Sequence, residues 1–413
     1  MLANVLCRFA ICLLLSALTL RAEEAPLSLR AAYDLTLARS ETLQIGDAEW
    51  RAAEARYRRA IGGRWPELRA EGAADFREGV SRAGEVYGLG LGASWTLFDG
   101  FRSLHDADAR RAEGEAIRFD TARTRQLLYQ DVAESYYEAL ARDGEAAALR
   151  DQQTALAERV AELEKRLALG RSRRAELLAA QAAVADLHVS IAQAETLRDA
   201  ARELLAFLTG RPADDLALAT PDAFPAADQI LAVLAASADR PDLRAAAQRV
   251  EAARREMDAA RADQGARVTA DGNLYVWRHP SDENQWDLAL RVELPLFDRG
   301  VRAAAVAEQQ ENVQVRELRL AELARVADRD VRLTLREALG GLAQWSALRQ
   351  AVDVTEASWR QQQQDYELGR ATNLDVLAAL SQLHALRRRE VVLTMQVRAA
   401  LVRLQVAAGS GAK

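Results

Sequence analysis

The sequence predicts a mixed fold, mostly α-helical with a membrane β-barrel portion, built twice within one chain. Three observations carry this. Trp95-Thr-Leu-Phe-Asp-Gly100 and Leu294-Pro-Leu-Phe-Asp-Arg299 lie 199 residues apart, and each closes an alternating segment and opens a long polar helix. Four segments alternate polar and apolar residues with a period of two. Between them run helical stretches with almost no proline.

The duplication holds beyond the Leu-Phe-Asp element. Leu169-Gly170-Arg171 with Glu176-Leu177-Leu178 matches Leu368-Gly369-Arg370 with Asp375-Val376-Leu377, and Leu205 to Gly210 matches Leu404 to Gly409. Upstream of Leu-Phe-Asp the offset becomes 200, pairing Ala52-Ala53 with Ala252-Ala253 and Glu71-Gly72 with Asp271-Gly272. One residue is gained or lost in the hairpin, where a loop tolerates it best. The expected organisation is a signal peptide (1–22), a first repeat (23–210), a linker (211–240) and a second repeat (241–413).

Arg8 followed by Phe9 to Leu20 gives a positive start and a short apolar run, too short to cross a bilayer as a helix, so residues 1–22 read as a secretory signal peptide. Cys7 and Cys12 both fall inside it and neither follows the small residue of a lipoprotein signal. The mature chain is then free of cysteine, which excludes disulfides, thiolate metal sites and a cysteine nucleophile. Aromatics are 6% of the chain, and Ala, Leu, Arg, Glu and Gln dominate, the composition of long amphipathic helices. The net charge of -6 is interspersed along helix faces, with no basic patch for nucleic acid. Arg387-Arg388-Arg389 reads as a solvated helix face.

In the first hairpin (67–98), Leu68, Ala70, Gly72, Ala74 and Phe76 alternate with Arg69, Glu71, Ala73, Asp75 and Arg77. The return strand sets Tyr87, Leu89, Leu91, Ala93, Trp95 and Leu97 against Gly88, Gly90, Gly92, Ser94 and Thr96. The second hairpin (267–297) opposes Val268, Ala270, Gly272, Leu274 and Val276 to Thr269, Asp271, Asn273, Tyr275 and Trp277. Its return strand, expected from Trp286 to Leu296, opposes Trp286, Leu288, Leu290, Val292 and Leu294 to Asp287, Ala289, Arg291 and Glu293. A period of two with one wholly apolar side is a strand between two solvents. At ~3.3 Å per residue and ~45° tilt, each strand spans about 25 Å, the height of an outer-membrane barrel's apolar band. Four strands cannot close, and strands in lipid need every backbone group paired, so the chain must oligomerise. Two copies give a barrel of about 8 strands filled by side chains, whereas three leave an aqueous lumen for Arg69, Asp75, Asp287 and Arg291, which favours a homotrimer.

Helices are expected over 101–169 and 301–368, returning over 172–208 and 372–406 after short turns at Gly170 and Gly369. Leu149, Leu156 and Leu163, with Val160 and Leu167, form a heptad seam. Proline clusters instead in the linker, which separates the repeats.

Helix, hairpin ending in Leu-Phe-Asp, long helix, Leu-Gly turn and returning helix, all repeated once, resemble the TolC-like outer-membrane efflux protein family over essentially the whole mature chain. The resemblance implies a trimeric twelve-stranded barrel in outer-membrane lipid joined to a periplasmic helical tunnel. It implies an exit duct that docks on a periplasmic adaptor (membrane fusion) protein serving an inner-membrane pump of the resistance-nodulation-division or ABC type. The chain departs from the pattern at Thr96, which stands where the second repeat has Pro295. Alternatives are a type I protein secretion duct and, from another class, a periplasmic coiled-coil structural or adaptor protein; the four alternating strands count against the last.

No enzyme, cofactor or metal is expected. His105, His188, His279 and His384 are scattered without a second ligand at helical spacing, and nothing resembles a nucleophile elbow. The candidate functional residues are Gly170 and Gly369 as adaptor-docking tips, and Glu176, Tyr366 and Asp375 as a periplasmic gate. Glu176 and Asp375 each follow a tip glycine by six residues, so threefold symmetry would ring one level with carboxylates and favour cations. Tyr366 has no counterpart hydroxyl at Leu167, and is expected to donate a hydrogen bond to Glu176 of a neighbouring helix as a latch.

Overall fold

The computed structural model describes residues 26–77, 84–220, 224, 240–279 and 285–410; the expected signal peptide and most of the linker lie outside them. Helices α1 (Leu29–Arg39) and α2 (Glu41–Gly62) lead into strands β1 (Glu67–Arg77) and β2 (Gly84–Phe98), followed by α3 (Arg102–Ala168) and α4 (Arg174–Thr209). After a 3-10 turn at Ala213–Asp215 the order recurs as α5 (Pro241–Ala262), β3 (Arg267–His279), β4 (Trp286–Glu293), α6 (Val301–Glu367) and α7 (Asn373–Ala407). The two outgoing helices, α3 and α6, are each 67 residues, about 100 Å at 1.5 Å per residue.

Both hairpins join one antiparallel sheet in the order β1-β2-β3-β4. Its register sets Leu68 opposite Ala93, Ala70 opposite Leu91, Leu91 opposite Leu274, Ala270 opposite Leu290 and Gly272 opposite Leu288. The apolar sets of all four strands therefore share one face. Leu288, Leu290 and Val292 are about two-thirds exposed, at 71%, 67% and 65%, so among the described residues nothing in the chain covers this apolar face.

Three features differ from the alternation. β4 ends at Glu293 and not at Leu296, because Pro295 has no N–H to give the ladder and restricts the residue before it. β2, with Thr96 at the matching place, runs on through Phe98. The register shifts twice between β2 and β3: Leu89 pairs with Trp277 and Gly90 with Tyr275, and Thr96 pairs with Thr269 and Phe98 with Val268; the bulge at Val276 moves Trp277 from the polar set to a position opposite lipid-side Leu89, and the one at Leu97 brings Phe98 opposite lipid-side Val268.

Contacts divide the chain into two compact units, each drawing on both repeats: residues up to Arg39 with Asp131–Pro225 and Gly340–Ala400, and Ser40–Gln130 with Ala226–Leu339 and Leu401 onward. In the first unit the expected seam is buried, Leu149 at 1%, Leu156 at 5% and Leu163 at 0% exposure. Leu149 and Leu156 pack with Leu187 of α4 and Leu380 of α7. A heptad stripe on α3 thus faces a returning helix from each repeat, which is why compactness ignores the repeat boundary.

The same unit ties its start to the segment after α4. Leu27 N–H donates to the Ala217 carbonyl at 2.6 Å and Ala219 N–H to the Leu27 carbonyl at 3.0 Å. Tyr136, 2% exposed, places its hydroxyl 2.9 Å from the Leu27 carbonyl and 2.7 Å from that of Ala219. Tyr136→Phe keeps the ring and removes the donor, so it should cost about 1 to 2 kcal/mol in a thermal or denaturant melt. Burial, with Tyr137 beside it, pushes this hydroxyl up to about 12. The neutral form is the one favoured in the fold, so its contribution is complete below the ordinary tyrosine range and is lost as pH rises from about 10 through 12.

In the second unit, Arg123 Nη1 donates to the Val406 carbonyl at 2.7 Å and Gln126 Nε2 to the Gly409 carbonyl at 2.6 Å. These bonds satisfy carbonyls left over at the end of α7.

Candidate functional site

Each strand-to-helix joint is made by the aspartate of Leu-Phe-Asp. Asp99 Oδ2 accepts from the Ser103 N–H at 3.0 Å, and Asp298 accepts from Gly300 and Arg302 N–H at 3.0 and 3.1 Å. The intervening pair is left-handed in both joints, Gly100-Phe101 in one and Arg299-Gly300 in the other. The carboxylate neutralises the first-turn N–H groups of a 67-residue helix, which explains why the motif occurs twice.

The polar face of the sheet is held by cross-strand pairs. Ser94 Oγ donates to Asp271 at 2.7 Å and Asn273 Nδ2 to Asp287 at 3.1 Å, and along β1 Arg69 Nε donates to Glu71 at 2.9 Å. Arg291 lies 3.8 Å from Asp271. Among the described side chains this face carries Glu67, Glu71, Asp271, Asp287 and Glu293 against Arg69, Arg267 and Arg291, an excess of negative charge.

At the far ends of the long helices the two Leu-Gly turns are the same motif. Gly170 N–H donates to the Leu167 carbonyl and Arg171 N–H to that of Arg166; Gly369 donates to Tyr366 and Arg370 to Asp365. This paired pattern is the Schellman C-cap, and it needs the positive φ that the glycines adopt, 67° and 73°. A side chain built at either glycine meets open space, so a substitution there is opposed by the backbone and not by packing.

The carboxylates six residues on are occupied by their own helix starts. Asp375 Oδ2 accepts from the Thr372 N–H at 2.8 Å and its hydroxyl at 2.7 Å, while Asp375 N–H donates to Thr372 Oγ1 at 3.3 Å. The reciprocal bonds are a capping box. The Thr372 hydroxyl and N–H hold the Asp375 carboxyl below the usual carboxylate range. That contribution is present at and above the ordinary aspartate range and is lost as pH falls below it. Thr372→Ala should therefore speed amide exchange in the first turn of α7 at neutral pH, and the difference from wild type should shrink in acid. Glu176 Oε2 accepts from Ser172 at 2.6 Å.

Tyr366 does not bond Glu176 within the chain. Its ring is stacked under two guanidiniums of α3, Arg159 at 4.1 Å and Arg166 at 4.7 Å. Arg159 is 8% exposed, donates through Nε to Asn373 Oδ1 at 2.9 Å and pairs with Glu162. Asn373, 1% exposed, reaches back to the Glu176 carbonyl at 3.5 Å. Within one chain the contact that joins the two hairpins here is thus Arg159 with Tyr366 and Asn373, and cation–π stacking takes the ring because the neighbouring seam presents arginines there. The signal was available, since with Leu149, Leu156 and Leu163 at one seam position the other falls on Gln152, Arg159 and Arg166.

A four-stranded sheet with a lipid face and a polar face, carried on two long helical hairpins, defines an outer-membrane channel with a helical extension. The chain belongs to the outer membrane efflux protein family, whose model matches residues 32–211 and 233–410. Comparison with curated protein sequences gives no match. Among solved structures it is similar to the channel-forming CusC, at 21% identity over 93% of this chain and 92% of that one, with a TM-score of 0.80. It is also similar to the outer membrane protein VceC of Vibrio cholerae, at 20% identity over 93% and 96%, TM-score 0.80. The open-state outer membrane channel MtrE of Neisseria gonorrhoeae shares 21% identity over 93% and 89%, TM-score 0.78. At these identities the structures speak for the fold. Family membership makes the protein an outer-membrane channel of the tripartite efflux type, with neither the secretion-duct nor the soluble adaptor alternative favoured. The family forms trimeric channels, not enzymes, that work with adaptor and pump partners.

Proposed function

We propose that three copies close a twelve-stranded barrel and a periplasmic tunnel, and that the assembly is the passive exit duct for a resistance-nodulation-division or ABC pump reached through a periplasmic adaptor. The observation that supports this is the open sheet. β1 and β4 are its edges, and an unpaired edge in lipid is untenable unless a second copy covers it. Heat-modifiable trimers in the outer-membrane fraction test it; a monomer in detergent that migrates alike with and without heating would overturn the closure.

The turns at Gly170 and Gly369 are the proposed adaptor-docking tips, and Glu176, Tyr366 and Asp375 belong to the proposed gate. Gly369→Asn keeps a residue that tolerates positive φ, whereas Gly369→Val should cost about 1 to 2 kcal/mol locally. The expected result is normal trimers for both variants, near-normal export for the asparagine and lost export for the valine. Equal export by both would remove the tip from adaptor docking.

A further inference from the structure

The two ends of the sheet that meet helices are unequal in chemistry, although the duplication makes them equivalent in position. At the first, α2 finishes with Arg56, Arg58 and Arg59, and Arg64 and Trp65 follow. Shifted by 200 residues, the second has Glu256, Asp258, Ala259, Gln264 and Gly265. Net positive charge and aromaticity are both concentrated at the first joint.

Arg58 is paired with Glu54. Arg56, Arg59 and Arg64 are exposed and, among the described residues, none has a carboxylate partner. Arg56 and Arg59, three apart on a helix, are neighbours on its surface. The basic residues at the second joint are instead spent: Arg254 pairs with Glu317 at 2.7 Å, Arg255 with Glu251 at 2.7 Å and Arg261 with Asp258 at 3.6 Å.

One of the first joint's arginines, Arg64, lines an aromatic recess of about 420 Å³ with Trp65, Trp95, Phe98, Phe101 and Ile61, and Arg59 and Arg56 follow up the last turns of α2. The Trp95 indole N–H donates to the Arg64 carbonyl at 2.9 Å, which fixes the charged residue to the strand. Phe98 and Phe101 meet edge to face at 5.8 Å. Trp65 is 71% exposed and Phe101 62%, in a chain where aromatics are scarce. Trp95 belongs to the lipid-facing set, and Phe98 joins it opposite Val268 where the register skips Leu97, so the recess continues the membrane surface of the sheet at its periplasmic border.

Aromatic rings with unpaired guanidiniums at the level where acyl chains end suit an amphiphile with an anionic head. We propose that this joint is a binding site for an anionic phospholipid of the periplasmic leaflet, with Arg56, Arg59 and Arg64 on the phosphodiester and Trp65, Trp95 and Phe101 along the upper acyl chain. The guanidiniums supply charge and fork-shaped donors to phosphate oxygens, and the rings occupy the interface that Trp prefers. The second joint, with Glu256, Ala259 and Gln264 in place of the three arginines, offers the same head no such donors.

The site rests on the membrane placement of the sheet, and one experiment separates the two. The full-length protein is reconstituted into vesicles of phosphatidylethanolamine with phosphatidylglycerol, with either lipid carrying bromine on its acyl chain, and tryptophan quenching is read. Quenching by both lipids reports insertion. Stronger quenching by brominated phosphatidylglycerol is expected for wild type. That preference should be lost in the Arg56→Gln, Arg59→Gln, Arg64→Gln variant, which removes three basic residues near an anionic surface. It should persist when Arg254, Arg255 and Arg261 are changed to Gln. Equal quenching by the two lipids in wild type, or equal loss in both triple variants, would overturn the site while leaving insertion intact. Loss of the preference on adding soluble glycerophosphoglycerol would also overturn it, by showing a phosphate site that needs no lipid.

Discussion

Leu290→Arg should cost about 2 to 4 kcal/mol per chain and deplete heat-modifiable oligomers, while Ala289→Arg, one residue away, should assemble nearly as wild type. The contrast rests on the pleat. Leu290 pairs with Ala270 and stands in an apolar band with Leu288 and Val292, all on one face. An arginine there meets hydrocarbon with no partner, and only snorkelling or local thinning relieves it. Ala289 pairs with Asp271 and sits between Asp287 and Arg291, so a guanidinium on that side finds water and carboxylates. Unfolding from lipid vesicles and the heat shift on gels both read the difference, and similar damage from the two variants would reverse the assignment of faces.

Gly90 is not an equivalent control, although simple alternation puts it on the same polar face as Ala289. A Cβ at Gly90 would lie 2.7 Å from the Leu274 carbonyl oxygen, beside the register shift that skips Val276. Gly90→Ala should already hinder pairing of β2 with β3, because the obstacle is backbone and cannot rotate away. Assembly should fall for Gly90→Ala and hold for Ala289→Ser.

Period-two alternation made the faces legible residue by residue, since a strand has only two sides. Leu68 through Val292 fall on the expected side wherever the register is unbroken. It could not foresee the bulge that carries Trp277 across, because a bulge is a two-strand property absent from either strand alone. Pro295 was visible as a departure from Thr96, and its consequence, the early end of β4, follows from a missing N–H. The seam Leu149, Leu156 and Leu163 was equally legible, but a heptad names a buried stripe and not its partner; Leu187 and Leu380 come from different repeats. A carboxylate three residues after a threonine at a helix start, as Asp375 is, also bonds locally, a contact that counting carboxylates around an axis does not reveal. What remained hidden at the tips was Arg159, an arginine in an apolar seam, whose meaning depends on Tyr366 and Asn373 more than 200 residues away.

That arginine makes the second large effect. Arg159→Met preserves much of the stem volume but removes the donor to Asn373 and the cation over Tyr366, and should destabilise the hairpin pair by about 2 to 4 kcal/mol. Asn373 is fully buried and would keep an unsatisfied amide oxygen, which costs stability. Arg166, still 4.7 Å from the Tyr366 ring, retains part of the stack. Within the proposed gate the same geometry sorts the tyrosine variants. Tyr366→Phe keeps a ring between the two guanidiniums and should leave single-channel conductance and open fraction as in wild type, because the ring face and not the hydroxyl makes the contact. Tyr366→Leu removes the π surface and should raise the open fraction, and Arg159→Met should do the same. If Tyr366→Phe opens the channel as far as Tyr366→Leu, the hydroxyl holds the tip through a neighbouring copy and the stack does not.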